Sequence, residues 1–324
     1  MDKCGCGQKL YNVLFTGGLD SAYRLCQLAL DGNAVVQPIY ILFPNDGHVH
    51  FRPEMEREVE AQDKILSYVR EQHQTKAKIL PIRRIHRDEI PKDAETMLYE
   101  PFIAKRLLGW QYLYIALLAR WIPNLELCHE TFSSFMERSN IRFVDDGHGN
   151  TVMDTEGHGR YAELLFGNLF FPIMGVTRER MRSDLRSWGY EGVWEMICFC
   201  YRYIDGKPCG ACDNCIMKLD QGLFFLFDKK AIRRYYIYKV LDAFGKVDLV
   251  NFYKATVSFG EGFVLGKMIE IELSGRRKCF DNLFGLSFFR KLFLLGNDEL
   301  VKVLAHKGDK DRMYGMIMKK RVKG

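Results

Sequence analysis

Two glycines lie between a threonine and an Asp-Ser pair in the segment TGGLDS, residues 16–21. The apolar residues 13–15 before it are typical of a buried parallel strand, and apolar residues recur with helical spacing after it. Glycines let backbone N–H groups approach a ligand closely, and the start of a helix favours an anion. The segment therefore predicts a phosphate-binding loop. An ordinary strand-to-helix turn, capped by Asp20 or Ser21, explains the same residues.

The loop differs from the Walker A motif of nucleotide-binding proteins. It lacks the long Gly-x-x-x-x-Gly-Lys-Ser/Thr span, and it contains no lysine that could reach a γ-phosphate. A short loop of this kind can instead hold the β and γ phosphates together as pyrophosphate while the α-phosphorus is attacked.

Four cysteines in the segment CYRYIDGKPCGACDNC have the spacing C-x8-C-x2-C-x2-C. They are Cys200, Cys209, Cys212 and Cys215. Four thiolates in one short segment match a tetrahedral zinc site, and such a closed site has a structural role. An iron–sulfur cluster is the main alternative, because the Cys-x2-Cys-x2-Cys run also occurs there.

The two motifs together resemble one known family. The loop is similar to the PP-loop signature Ser-Gly-Gly-x-Asp-Ser of the N-type ATP pyrophosphatases, with Thr16 in the first serine position. A PP-loop followed by Cys-Tyr-x7-Cys-Gly-x-Cys-x2-Cys resembles the 7-cyano-7-deazaguanine synthase (QueC) family. The segment PIMGVTR, residues 172–178, looks like the Pro-Leu…Thr-Lys element of that family. The resemblance covers roughly residues 10–225.

The resemblance implies ATP, Mg²⁺ and structural Zn²⁺ as cofactors, and it implies roles for individual residues. Asp20 and Ser21 would be catalytic, and a larger set would bind the nucleotide: Thr16, Gly17, Gly18, Asp20, Ser21, Arg106 and Arg178. Arg178 replaces the family's lysine and keeps a cation suited to phosphate. Arg106 matches an arginine of the family at the start of a central helix.

In the family, ATP adenylates the carboxylate of 7-carboxy-7-deazaguanine, ammonia then forms the amide, and a second ATP converts the amide to the nitrile. Two elements of the family are not reproduced here, and one of them helps to recognise the deazaguanine. The segments FPNDGHVHFRPE and CHETFSSFMERSN stand in their places. Glu130 in the second segment is a candidate for pairing with a guanine-like N–H edge. An amine on a partner protein, in anti-phage defence, is the alternative acceptor to ammonia.

The elements that must position these residues belong to an α/β fold. We expect three layers, α/β/α, with a parallel sheet of the PP-loop type, a zinc-binding segment at residues 198–215 and an α-rich C-terminal extension. The extension, residues 226–324, holds 21 Lys and Arg against 11 Asp and Glu, a net charge of +10. Residues 1–225 therefore carry −4 of the whole-chain +6. This asymmetry indicates a domain boundary near 225. A small basic module with a solvated surface explains the charge of the extension, and an acidic partner, either nucleic acid or an acidic protein face, is the alternative.

The composition favours a cytoplasmic enzyme. The 324 residues are 48% hydrophobic, enough for a full core, and no long apolar span predicts a membrane segment. The ten cysteines are expected to serve a metal site and not a disulfide framework, because the compartment is reducing. We expect a homodimer. Two other function classes stay open: a PP-loop tRNA sulfurtransferase, and a nucleotide-binding module without turnover.

Overall fold

The computed structural model describes most of the chain, and its described residues are 3–4, 8–48, 51–98, 110–129, 141–147, 150–154, 156, 160–245, 250, 253–254, 257, 288 and 291–320. The chain forms two compact units, Met1–Cys198 and Phe199–Gly324.

One sheet organises the first unit. Within the described residues it has nine strands: β1 (Lys3–Cys4), β2 (Gln8–Leu14), β3 (Ala34–Leu42), β4 (Lys78–Ile79), β5 (Arg83–His86), β6 (Leu125–Glu126), β7 (Phe143–Asp145), β8 (Thr151–Met153) and β9 (Leu169–Phe170). Strands β4 and β5 both pair with β3, and the order continues β3-β2-β6-β9-β8-β7. The pairs from β4 and β5 through to β9 are parallel, whereas β1, β7 and β8 pair antiparallel with their neighbours. The predicted α/β class with a mostly parallel sheet is confirmed.

Strand β2 lies at the point where the order of the parallel strands reverses. From β2 the chain first builds outward to β3 and then to β4 and β5, and it later returns to add β6 on the other side of β2. In such sheets a crevice opens beyond the carboxyl ends of the strands at this position. Residues 15–18, which follow β2, and residues 127–129, which follow β6, lie at this crevice.

Helices connect the strands of this unit. They are α1 (Leu19–Ala29), α2 (Met55–Glu71), α3 (Ala94–Met97), α4 (Gln111–Trp121), α5 (Arg160–Phe166) and α6 (Arg178–Ser187). Helix α1 contacts β2, β3, α2 and α6, whereas α4 contacts α3 and α5. Apolar side chains on alternate positions of the strands, such as Leu14, Ile39 and Leu125, share one core with α4 and α5.

Two predictions about local structure can be compared directly. The predicted strand before the glycines and the helix after them are confirmed as β2 and α1. The segment IRFVDDGHGNTVMDT, residues 141–155, predicts a hairpin around its Gly/Asn turn, and β7 and β8 form one. Asp145 accepts a hydrogen bond from the Gly147 N–H at 2.7 Å, as turn chemistry requires.

The second unit is helical within its described residues. Its helices are α7 (Asp213–Asp220), α8 (Lys229–Ala243), α9 (Asn297–Leu304) and α10 (Lys310–Met318). The cysteine segment shares a single apolar core with these helices, and Cys209, Ala231 and Leu300 are all wholly buried in it. The observed division between Cys198 and Phe199 therefore differs from the predicted one at residue 225. The apolar core assigns the cysteines to the C-terminal unit.

None of the helices in the described part of the chain combines the length and the apolarity needed to cross a bilayer.

Candidate functional site: a glycine loop and a four-cysteine cluster

The glycine loop, residues 15–18, is closed by hydrogen bonds among its own groups. The backbone N–H of Thr16 donates to Ser21 Oγ at 3.2 Å, and the N–H of Gly18 donates to Thr16 Oγ1 at 3.4 Å. Ser21 Oγ in turn donates to the Gly18 carbonyl at 3.2 Å. The two hydroxyls are 3.4 Å apart. The hydroxyl at position 16, which threonine shares with serine, therefore takes part in the structure of the loop.

Gly17 has to be a glycine for two reasons. Its φ is +73°, a conformation that disfavours any residue with a side chain. A Cβ at this position would lie 3.1 Å from the Glu58 carbonyl oxygen and 3.3 Å from Gln62 Cγ, both on α2. The Gly17 carbonyl accepts a hydrogen bond from the Cys198 N–H at 2.9 Å. The loop is thus held between α2 and the last residue of the first unit.

Helix α1 begins directly after the loop and points its N-terminus at the crevice. Gly18 is the N-cap, and it makes no side-chain cap hydrogen bond because it has no side chain. The predicted cap by Asp20 or Ser21 is therefore wrong, since both lie inside the first turn. The N–H groups of a first helical turn have no acceptors within the helix, and the helix dipole adds partial positive charge there. This end of α1 is suited to an anion.

Asp20 and Arg178 meet at the same place. Arg178 Nη1 donates to Asp20 Oδ1 at 2.6 Å, although the two residues are far apart in the sequence. The Arg178 side chain is 7% exposed and that of Asp20 is 25% exposed. Arg178 is the first residue of α6, and the hydroxyl of its N-cap, Thr177, accepts from the Arg180 N–H. The structure thus brings together all the described residues that were predicted to bind the nucleotide.

A second ion pair fixes α1 against the sheet. Arg24 Nε and Nη2 donate to the two carboxylate oxygens of Glu126 at 2.8 and 2.7 Å. Glu126 ends β6 and is buried. Bidentate pairs of this kind fix geometry as well as charge. The only signal in the sequence is a charged residue within an apolar run, and we did not identify this pair from it.

Cys128 and His129 follow β6 at the crevice. Burial raises the pKa of the Cys128 thiol well above its ordinary value. His129 Nε2 lies 3.0 Å from the Tyr112 hydroxyl on α4. A buried thiol of raised pKa is protonated at neutral pH and is a poor nucleophile.

Gln62 is a buried polar residue beside the loop. It is wholly buried on α2, and within the described part of the chain neither Oε1 nor Nε2 has a hydrogen-bond partner. Each buried amide group left unpaired costs about 1–3 kcal/mol of stability. Sequence reasoning did not identify this residue, because nothing in the pattern of α2 distinguishes it.

A group of potential metal ligands lies at the ends of β3 and β5. The ligand atoms of Asp46, His86 and Asp88 are within 4.8 Å of one another. Arg87, however, donates to both carboxylate oxygens of Asp46. This hydrogen bonding lowers the pKa of Asp46 to about 2. The exposed group is thus explained by an ion pair, and it does not require a metal.

The four-cysteine cluster of the second unit has the dimensions of a tetrahedral metal site. Its Sγ atoms all lie within 4.8 Å of one another. The Cys200–Cys212 distance between sulfurs is 4.0 Å, and the Cys209–Cys215 distance is 3.8 Å. Zinc–sulfur bonds of about 2.3 Å in a tetrahedron give sulfur–sulfur distances of about 3.8 Å. The cluster can therefore hold a metal such as zinc, and the predicted ligand set comes together.

Backbone N–H groups surround these sulfurs. The Arg202 and Cys209 N–H groups donate to Cys200 Sγ at 3.3 and 3.2 Å, and those of Ala211 and Cys212 donate to Cys209 Sγ at 3.4 and 3.2 Å. Such bonds stabilise thiolate charge. The turn depends on Gly210, whose φ is +76° and where a Cβ would lie 2.1 Å from the Ala231 carbonyl oxygen.

The four thiols lie close together, and the hydrogen bonds between them shift their pKa values in opposite directions. Hydrogen bonds with Cys200, Cys212 and Cys215 lower the pKa of Cys209. The same kind of contact raises the pKa of Cys200, through its bonds with Cys209 and Cys212. Metal binding requires all four as thiolates, so it must release protons.

Two residues named in the predictions lie outside the described residues. They are Arg106, expected at the nucleotide, and Glu130, expected at the substrate. Cys198 begins the predicted zinc-binding segment but is not in the four-cysteine cluster, and its backbone N–H donates to the Gly17 carbonyl. Cys26 and Cys128 are buried free thiols.

Comparison of the chain with protein-family models, with curated proteins and with solved structures finds no match.

Proposed function

We propose that the chain is an ATP-dependent carbon–nitrogen ligase of the PP-loop type, similar to the 7-cyano-7-deazaguanine synthases. The observation that carries the proposal is the position of the glycine loop. It follows β2 at the reversal of strand order, it leads into the uncapped N-terminus of α1, and Arg178 lies beside it. Loop amides, a helix dipole and a guanidinium at the crevice of a parallel sheet make a site for a multiply charged anion. No lysine of a Walker A motif is present in the loop, so pyrophosphate suits it better than a transferred γ-phosphate.

The proposed reaction has two substitution steps, and each step forms one bond and breaks another. An oxygen of the 7-carboxy-7-deazaguanine carboxylate attacks the α-phosphorus of ATP, and pyrophosphate leaves with the electron pair of the broken P–O bond. An amine nitrogen then attacks the acyl carbon, AMP leaves, and the nitrogen loses a proton. A bound Mg²⁺ would neutralise phosphate charge.

The chain's own residues act on the pyrophosphate. The hydroxyls of Thr16 and Ser21 and the N–H of Gly18 are donors beside the start of α1. Arg178 supplies positive charge, and Asp20 orients the guanidinium through its 2.6 Å bond. Asp20 and Ser21 are therefore the proposed catalytic residues.

Zinc is the proposed metal of the four-cysteine cluster, with a structural role. Four protein ligands leave no open coordination position for a substrate. The burial of Cys200, Cys209 and Cys215 also argues for a role in folding. An iron–sulfur cluster is the alternative, and a visible absorption spectrum distinguishes it from colourless zinc.

A PP-loop sulfurtransferase acting on tRNA is the second candidate function. It is favoured by one observation, the presence of Cys128 and Cys198 near the loop. Burial raises the pKa of Cys128, which argues against it as a sulfur carrier. A third candidate, a binding module without turnover, would bind ATP and release it unchanged.

The acceptor is ammonia or an amine on a partner protein. The net charge of +10 on residues 226–324 favours an acidic partner, and such complementarity mainly accelerates encounter. We propose a cytoplasmic homodimer whose C-terminal region docks the acceptor protein.

The experiment is mass spectrometry of the products formed from ATP, Mg²⁺ and 7-carboxy-7-deazaguanine, with ammonia or with purified candidate partners. The proposal expects the amide or nitrile, or a partner carrying the acyl mass. Asp20→Ala and Ser21→Ala should abolish product while keeping the wild-type circular dichroism spectrum. No consumption of the carboxylate by a well-folded, metal-loaded wild type would reject the proposal.

A further inference from the structure

Helix α2 packs against the glycine loop at Gly17, and Gln62 is one of the α2 residues in this contact. The position of a Cβ on Gly17 is within 3.4 Å of the Glu58 carbonyl oxygen, Gln62 Cγ and Ala61 Cβ. The Gln62 amide carbon is bonded to this Cγ, so the side chain carries its amide within reach of the loop. It is wholly buried and has no hydrogen-bond partner in the described part of the chain.

Three hydrogen bonds at the loop are made within it. The Thr16 N–H donates to Ser21 Oγ, the Gly18 N–H donates to Thr16 Oγ1, and Ser21 Oγ donates to the Gly18 carbonyl. If these groups turn towards an anion, the internal bonds break: the buried Ser21 Oγ loses the Thr16 N–H, and the Gly18 carbonyl keeps only its bond from the Ala22 N–H. A buried acceptor without a partner weakens anion binding by its desolvation cost.

The Gln62 amide has the capacity to replace those bonds. It offers two N–H donors and an oxygen with two acceptor sites, and all of them are unused. Methionine or leucine would fill the same space in the fold without unpaired polar atoms. A buried polar side chain that makes no hydrogen bond is typical of functional sites.

We propose that Gln62 is a positioning residue for the glycine loop, whose amide forms hydrogen bonds with the loop backbone when the loop binds a pyrophosphate group. The inference rests on the proposed function, because it concerns the same loop. In this account the amide is unpaired without the anion and paired with it. Its removal therefore has opposite effects on the fold and on binding.

The test measures binding of inorganic pyrophosphate with Mg²⁺ by calorimetry, together with the melting temperature, on the full chain. The variants are Gln62→Met and Gln62→Leu. Thr96→Val is the matched control, because Thr96 on α3 is also wholly buried and its Oγ1 also lacks a partner among the described residues. All three substitutions remove a buried unpaired polar group, but only those at residue 62 touch the loop.

The expected result is a melting temperature equal to or above that of the wild type for all three variants. The dissociation constant for pyrophosphate should rise at least about tenfold at residue 62 and stay unchanged in Thr96→Val. Wild-type affinity in Gln62→Met would overturn the inference, as would unfolding of both residue-62 variants, which would show that the amide serves the fold. Absence of pyrophosphate binding in the wild type would instead reject the proposed function.

Discussion

The glycine loop and the four-cysteine cluster are both built around short motifs, but they are assembled differently. All the ligands of the cluster lie within 16 consecutive residues, from Cys200 to Cys215, and the N–H groups that bind its sulfurs come from the same segment. The loop instead depends on distant residues: Arg178 reaches Asp20, and Cys198 binds Gly17. The cluster is encoded locally, whereas the loop acquires its environment from the whole first unit.

The largest effect is expected from removing the metal ligands. Cys209→Ser should lose the metal and unfold the second unit, because a closed thiolate site contributes directly to folding. Hydrogen exchange should show loss of protection in α7 and α8 while α1 and α2 stay protected. Cys26→Ala, which removes a buried thiol of α1, is the control and should keep one metal atom per chain. Retention of metal and protection in Cys209→Ser would show that the cluster is not a metal site.

The next largest effect is expected at the Arg24–Glu126 pair, which anchors α1. The side chains are 14% and 4% exposed, so either partner alone becomes a buried unpaired charge. Glu126→Gln should lower the free energy of unfolding of the first unit by about 3–5 kcal/mol. The control is Glu191→Gln, which breaks an exposed pair with Arg186 and should change the free energy of unfolding far less, because solvent screens such a pair. Urea titration measures both, and equal effects would contradict the anchoring role.

The last prediction concerns alanine substitutions at Gly17 and Gly210, which allow a direct comparison of the two sites. Alanine in the left-handed conformation costs about 1–2 kcal/mol, and Gly222→Ala, with φ +78° and open space around it, measures that cost alone. Gly17→Ala should cost slightly more, because its Cβ would be 3.1 Å from a carbonyl oxygen. Gly210→Ala should cost most of the three, because the corresponding distance is 2.1 Å. Thermal unfolding that ranks Gly17 above Gly210 would contradict this order.

The same contrast explains what the sequence could predict. The spacing of the cysteines, the glycine pair and the Gly/Asn turn between β7 and β8 are local patterns, and the elements they predicted are present. The Arg24–Glu126 pair and the buried amide of Gln62 depend on which helix crosses which strand. No local pattern carries that information. The helix cap was mispredicted for a related reason: Ser21 bonds back to the loop and does not cap α1.

The boundary between the units shows a further limit of sequence reasoning. The change in charge placed it near residue 225, whereas the compact units meet after Cys198. Charge describes the surface of a protein, but units are defined by shared cores. The apolar faces of α7 and α8 form one core with Cys209 and Cys215, and this core was not visible from the charge pattern.

The central claim is that the glycine loop holds pyrophosphate during adenylation, and the nucleotide products test it most directly. ATP labelled at the α-phosphate would be incubated with the metal-loaded chain, Mg²⁺ and 7-carboxy-7-deazaguanine, and the products separated by chromatography. The account predicts label in AMP, release of pyrophosphate, and loss of both in Ser21→Ala. Label in ADP with release of inorganic phosphate would contradict it.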